Sequence, residues 1–265
     1  MTDGPESQRN VSRLVSDQSV ESLASQALNL LAKKRFARPR VLSGDYLRRL
    51  RSAAIDRDLD SRFSIVKEMR AAGISLEDIA DHYIPEVARQ LGEQWCEDQL
   101  GFADVTIGTA RLQSLLRDLS TEFHYPTDMK NESGIAVVVL ADEYHTLGAM
   151  VLTTQLRRLG ISVRLLLGVS EADALRELQQ DRYDAVMISA SHIESLDKLA
   201  KFVEKIRKQT RRNTPIVIGG PVVGHSQDVK ALTGADVATS DVHEAIRACR
   251  LKTFHAGVPA SPKGM

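Results

Sequence analysis

The stretch ADEYHTLG, residues 141–148, stands where two segments of different periodicity meet. Residues 133–140 before it read SGIAVVVL, an apolar and β-branched run that is typical of a strand buried on both faces. Residues 149–160 after it read AMVLTTQLRRLG, with apolar residues at helical spacing and a closing glycine. His145 is therefore expected on a strand-to-helix loop. In an open α/β sheet such loops lie at the carboxyl edge, where ligands bind.

Two later segments repeat this arrangement of a strand followed by small residues. YDAVMI, residues 183–188, precedes Ser189-Ala190-Ser191, and PIVI, residues 215–218, precedes Gly219-Gly220. Because parallel strands end at the same edge of a sheet, these small residues are expected near His145. Taken singly, each glycine indicates only an ordinary turn. The order and spacing of the three groups therefore carry the interpretation.

The motif Glu143-x-His145-x-x-Gly148, with Ser189-x-Ser191 and Gly219-Gly220 after it, resembles the cobalamin-binding domain family over roughly residues 133 to 250. The resemblance implies cobalamin as the cofactor, as hydroxocobalamin or adenosylcobalamin. It also implies that His145 is the lower axial ligand of the cobalt, a role that suits imidazole. Glu143, where the family usually has Asp, is then expected to hold the other ring nitrogen. The residues implied to contact the cofactor are Glu143, His145, Gly148, Ser189, Ser191, Gly219, Gly220 and Trp95.

Residues 44–124 are predicted to form a four-helix bundle, because four segments carry apolar residues at helical spacing. Ser75 is the predicted N-cap of the third helix. The residues predicted to form the apolar stripes include Tyr46, Leu47, Leu50, Ala53, Ala54, Phe63, Val66, Met69, Ile79, Tyr83, Ile84, Val87, Leu91, Ile107, Ala110, Leu112, Leu115, Leu116 and Leu119.

This helical region resembles the cap that precedes the cobalamin domain in methionine synthases, corrinoid methyl carriers and light-sensing cobalamin repressors. Trp95 stands in the family's place, either as a core aromatic or over the upper face of the corrin. Cys96 follows it, where light-sensing members can have a histidine; a buried structural cysteine is expected rather than a thiolate ligand. Residues 105–107, VTI, replace the family's Glu-His-His run, so the cap lacks an obvious histidine for the upper face. His192 is expected to be a surface loop histidine.

Strand-like and helix-like segments alternate after residue 132, which predicts a doubly wound parallel sheet of five strands. The predicted fold class is therefore α + α/β, a four-helix bundle cap followed by a Rossmann-like cobalamin-binding domain. The expected organisation is a flexible or partly helical N-terminal segment at 1–43, the cap at 44–124, a linker at 125–132, the α/β domain at 133–254 and a disordered tail at 255–265.

The composition excludes several function classes. The chain of 265 residues has a formal net charge of zero, so no global basic field favours nucleic acid. No apolar run approaches the ~20 residues of a membrane helix, and the first residues lack the pattern of a secretion signal. A cytoplasmic protein is expected. The basic segments 33–40 and 207–212 are either solvated surface or a surface for a partner or DNA.

The motif EYHTLG, residues 143–148, resembles that of the AerR/PpaA-type antirepressors of photosynthesis genes. Residues 1–43 are too short for a winged-helix DNA-binding domain, so a regulator of this kind is expected to act through a partner. The resemblance implies a light-responsive transcriptional regulator, not an enzyme, that acts through a DNA-binding repressor of the CrtJ/PpsR type. DNA would be contacted only indirectly or weakly, and a membrane not at all. A corrinoid methyl carrier for a methyltransferase is the alternative. A radical isomerase is set aside, because its substrate-binding barrel needs about 250 further residues.

Overall fold

The computed structural model describes residues 41–56, 58, 60–126, 133–210, 214–225 and 228–254. From Gly44 onward the chain forms one compact unit. The expectations for the first 40 residues, for linker residues 127–132, for basic residues 211 and 212 and for the tail lie outside the described residues.

Four helical stretches form the cap. They are α1, Gly44–Ile55; α2, Ser61–Ala71; α3, which begins at Leu76 and ends at Cys96; and α4, Phe102–Ser120. Leu50, Met69, Leu91 and Leu112 are among the side chains buried between them. Gly108 allows α4 to approach its neighbours closely, because a Cβ there would lie 2.9 Å from a Leu91 methyl carbon and 3.2 Å from one of Ile55.

Helix α3 changes its winding along its length. It starts as an α-helical turn, Leu76–Asp78, widens into a π-helix, Ile79–Tyr83, and continues as an α-helix, Ile84–Cys96. Ser75 Oγ accepts a hydrogen bond from the Asp78 main-chain N–H at 3.1 Å, which confirms the predicted cap. Pro85 lies two residues after the end of the π-helical segment, and its ring nitrogen cannot donate to the preceding turn. The wider turn thus lies where the regular ladder is interrupted.

The described residues after position 132 form a five-stranded parallel sheet in the order β2-β1-β3-β4-β5. The strands are β1, Gly134–Leu140; β2, Ser162–Val169; β3, Ala185–Ser189; β4, Ile216–Gly219; and β5, Val237–Ala238. The helices between and after them are α5, Leu147–Arg158; α6, Glu171–Gln180; α7, Leu196–Gln209; α8, Val222–His225; α9, Val229–Thr233; and α10, Val242–Ala248.

Helices cover both faces of the sheet. On one face, α6 and α7 bury residues such as Leu175 and Phe202 against alternate residues of β1, β3 and β4. On the other, α5 and α10 bury Leu156 and Ile246 against the remaining residues of those strands. The two-sided burial explains the unbroken apolar sequence of β1. The predicted fold class, a helical cap followed by a doubly wound five-stranded sheet, is confirmed.

Three residues of the predicted apolar stripes of the cap are exposed rather than buried: Phe63, Ile107 and Ala110. Phe63 and Ile107 are 43% and 46% exposed, although helical spacing assigned them to the interior. In α2 the buried neighbour of Phe63 is Arg62, whose guanidinium carbon lies 5.8 Å from the centre of the Phe63 ring. An arginine that stacks its charge on an aromatic face can replace an apolar side chain at such a boundary.

The part of the chain that the structure describes contains no helix that combines the length and the apolar character needed to cross a membrane.

Candidate functional site at the carboxyl edge of the sheet

The strand order reverses between β1 and β3. The chain leaves β1 through α5 toward β2 on one side, and β3 lies on the other side of β1. Such a reversal opens a crevice outside the carboxyl ends of the two strands, the usual ligand position in this architecture. The loop after β1 carries Glu143 and His145, and the loop after β3 carries Ser191 and His192. The sheet therefore places the predicted histidine beside the predicted serines.

Glu143 is the centre of the hydrogen-bond network at this edge. One carboxylate oxygen, Oε1, accepts from the His145 main-chain N–H at 2.7 Å and lies 2.8 Å from His145 Nδ1. The other oxygen, Oε2, accepts from the Ser191 main-chain N–H at 2.7 Å. One side chain thus joins the β1 loop to the β3 loop and fixes the ring of His145.

The charges of this pair stabilise each other. Burial alone would raise the pKa of Glu143, but hydrogen bonds from His145 and Ser191 outweigh it and lower the pKa to about 2. The hydrogen bond to Glu143 in turn raises the pKa of the His145 imidazole. As long as the carboxylate holds Nδ1, only the other ring nitrogen of His145 can coordinate a metal ion. The His145 side chain is 60% exposed, whereas that of Glu143 is only 10% exposed.

Ser191 carries a buried hydroxyl that has no partner. The residue is 6% exposed, and its Oγ makes no hydrogen bond to the protein. An unpaired buried hydroxyl costs free energy unless a ligand or water satisfies it. Ser189, the other predicted serine, ends β3 opposite Gly219 in the parallel register. The buried Ser191 hydroxyl therefore has free bonding capacity at this edge.

The predicted glycines divide into two kinds. A Cβ on Gly148, at the start of α5, would meet nothing within 4 Å. A Cβ on Gly219 would lie 3.0 Å from the Thr239 carbonyl oxygen, and one on Gly220 would lie 2.5 Å from that of Ala190. Gly220 also has a φ of +94°, which favours glycine. A Cβ on Gly219 or Gly220 would therefore meet the protein backbone, while one on Gly148 would enter open space.

The cap contributes a contact to this edge that could not be predicted from the amino-acid sequence. Gln113 on α4 donates from Nε2 to Thr146 Oγ1 at 3.0 Å, one residue after His145. The pair is separated by 33 positions in the chain. His192 is an exposed loop histidine, as predicted, and its ring centre lies 5.3 Å from that of His145. Its position directly after the Ser189-x-Ser191 group was the available signal for this proximity.

The structure corrects two expectations about the end of α3. Trp95 is not a buried core aromatic: it is 48% exposed and makes an edge-on contact with Phe102 at 6.3 Å between ring centres. Cys96 is exposed rather than buried. The described ring contact of Trp95 is with its own cap, not with the residues at the sheet edge, so its role toward a ligand stays a prediction.

Comparisons with known proteins agree with this fold. The family described as B12 binding domain matches residues 134–250. A Rhodobacter capsulatus protein, named as an uncharacterized 20.5 kDa protein in the bchF-crtJ intergenic region, is 38% identical over 176 residues, which cover 66% of this chain and 92% of that protein. The monomethylamine corrinoid protein of Methanosarcina barkeri has a similar structure, with a TM-score of 0.61 and 20% identity, over 77% of this chain and 96% of its own.

A helical cap followed by a doubly wound sheet, with a histidine at the carboxyl edge of the sheet, is the arrangement expected of a corrin-binding protein. The chain belongs to the B12-binding domain family. Its cofactor is cobalamin.

The residues at the edge fit that cofactor. The unpaired Ser191 hydroxyl can satisfy a polar group of the nucleotide tail, and the space beside Gly148 can admit it. The imidazole of His145 has one nitrogen fixed and one free to coordinate cobalt.

Proposed function

We propose that this protein is a cobalamin-dependent transcriptional regulator, an antirepressor that controls photosynthesis genes through a DNA-binding repressor of the CrtJ/PpsR type. The observation that carries the proposal is the relative at 38% identity, whose name places it in the bchF-crtJ intergenic region. A regulator encoded beside a repressor of this type is suitably placed to act on it. The proposal includes a non-enzymatic role and a response to light.

Bound cobalamin supplies a cobalt with two axial positions and, when alkylated, a cobalt–carbon bond that light can break. The chain's own part is to hold the cofactor and to transmit its state. His145 would bind the lower face, and Glu143 would keep the His145 ring oriented through Nδ1. The Gln113–Thr146 hydrogen bond connects the same loop to cap helix α4. A shift of this loop would therefore move the cap, and a moved cap would present a changed surface to the repressor.

The proposal is tested by adding the protein to a purified repressor of this type bound to its promoter DNA. We expect the cobalamin-loaded protein to release the repressor, with the extent changed by illumination. The His145→Ala variant, which keeps the fold but lacks the cobalt ligand, should release it poorly. Equal release by cofactor-free and cofactor-loaded protein, in the dark and in light, would contradict a cobalamin-dependent antirepressor.

A corrinoid methyl carrier is the second candidate, because the fold is similar to that of the monomethylamine corrinoid protein over 96% of that protein's length. A carrier must accept a methyl group on reduced cobalt and yield it to an acceptor. Chemical reduction of the loaded protein, followed by a methyl donor and a thiol acceptor with a methyltransferase, distinguishes the two. Repeated methyl turnover would favour the carrier, and its absence together with repressor release would favour the regulator.

A further inference from the structure

Three metal-ligating side chains meet at the sheet edge. Glu143, His145 and His192 each offer one ligand atom, and these atoms lie within 4.8 Å of one another. Two imidazoles and one carboxylate are the protein ligand set of many open zinc sites. The first two residues belong to the proposed cobalamin site, whereas His192 has no part in it.

The distances suit a single small cation. Ligands on a tetrahedral zinc ion lie about 3.3 Å apart, because each bond is about 2.0–2.1 Å long. His145 Nδ1 and Glu143 Oε1 are already 2.8 Å apart, with a proton between them that an ion can replace. The exposed His192 side chain needs a shift of about 1.5 Å, which a small rotation about its side-chain bonds supplies.

The Glu143 carboxylate is already oriented for binding a metal ion. The Ser191 main-chain N–H holds Glu143 Oε2 at 2.7 Å, so that Oε1 faces the His145 ring. An outer hydrogen bond of this kind orients a metal-binding carboxylate.

We infer that Glu143, His145 and His192 bind one divalent transition-metal ion of the zinc type in the cobalamin-free protein. Imidazole ligands favour zinc, nickel and copper over calcium or magnesium. The ion and cobalamin compete, because the ion takes up the Glu143–His145 pair that holds the lower ligand of the cofactor. The protein then exists in two forms, one with a metal ion and one with a corrin bound at the same edge of the sheet.

The test is a calorimetric titration of the full-length, tag-free, cobalamin-free chain with zinc chloride. We expect one zinc ion per chain, and we expect His192→Ala and His145→Ala each to weaken zinc binding by about tenfold or more. His124→Ala, an exposed histidine at the end of the cap, is the matched control and should leave the affinity unchanged. Hydroxocobalamin added to the zinc-loaded protein should release zinc to a coloured chelator.

Zinc affinity that is the same in the His192→Ala and His145→Ala variants as in the unaltered chain would overturn the inference, as would the absence of stoichiometric binding. Zinc that stays bound when cobalamin binds would overturn the competition. Cobalamin binding is followed separately by its own visible absorption. Failure of the zinc site is thereby distinguishable from failure of the proposed regulatory function.

Discussion

Glu143 makes two contacts that depend on the length of its side chain. It reaches both the ring of His145 and the main-chain N–H of Ser191, and so spans the loops after β1 and β3. An aspartate, which the family usually has at this position, is one methylene shorter. In this chain a shorter carboxylate would have to give up one of the two contacts.

The first prediction concerns this carboxylate. We expect Glu143→Asp to weaken cobalamin binding by about tenfold to hundredfold, the usual effect of losing an orienting partner of a metal-binding histidine. Asp142→Ala is the control, because Asp142 is exposed and pairs with Lys198 at 2.7 Å instead. Affinity is measured by spectral titration with hydroxocobalamin. Equal affinities for Glu143→Asp and the unaltered chain would show that cobalamin binding does not require Glu143 to contact both His145 and Ser191.

Two glycines allow packing and ligand binding to be separated. Gly220→Ala should destabilise the fold by about 1–3 kcal/mol, because φ is +94° and the new Cβ would lie 2.5 Å from a carbonyl oxygen. Gly148→Ala should leave stability equal or up to about 1 kcal/mol higher, since alanine favours helices. It should nevertheless weaken cobalamin binding, because its methyl group enters the crevice. Urea unfolding and spectral titration measure the two effects; a Gly148→Ala variant with full cobalamin affinity would place the cofactor elsewhere.

The two cysteines should differ in reactivity. Burial raises the pKa of the Cys249 thiol to about 11, so only about one molecule in a thousand carries a thiolate there at pH 8. Cys96 is exposed. We expect iodoacetamide at pH 8 to modify Cys96 rapidly and Cys249 only on unfolding, as read by peptide mass spectrometry. Equal rates in the folded protein would mean that the packing around Cys249 is open.

An ion pair joins the cap to the α/β domain. Arg158 at the end of α5 forms an ion pair with Asp81 in the π-helical segment of α3, and the two side chains are 14% and 16% exposed. The Arg158 guanidinium also lies 4.6 Å from the centre of the Phe123 ring. Since α5 starts two residues after His145, the π-helical segment is connected to the site through one helix.

Removal of one partner from this ion pair should be costly. Asp81→Ala leaves Arg158 charged and mostly buried, and we expect it to lower the free energy of unfolding by about 3 kcal/mol. The control is Glu122→Ala, which breaks the exposed Arg70–Glu122 pair and should cost about 0.5 kcal/mol or less. Both are measured by urea unfolding. If the two losses are equal, the Arg158–Asp81 pair does not hold the cap to the sheet.

At the scale of the whole molecule, the architecture could be predicted because each element carried a local signal. Buried strands such as β1 are continuous apolar runs, and the order of strands and helices determines the class of sheet. The proximity of Glu143 and His145 was predictable because they are two residues apart. The Gln113–Thr146 and Glu143–Ser191 contacts were not, since they depend on how elements far apart in sequence pack. The exposure of Phe63 and Trp95 was missed because helical spacing does not tell a core position from a surface aromatic.

The central claim is that His145 coordinates the cobalt of bound cobalamin. The most direct measurement is the electron paramagnetic resonance spectrum of the protein loaded with cobalamin and reduced to the cobalt(II) state, grown with nitrogen-15 histidine. If His145 is the lower ligand, each cobalt line splits into a doublet from the heavy nitrogen, and the His145→Ala variant loses that splitting. A triplet from ordinary nitrogen in the labelled protein would mean that the cofactor keeps its own benzimidazole base, and would contradict the claim.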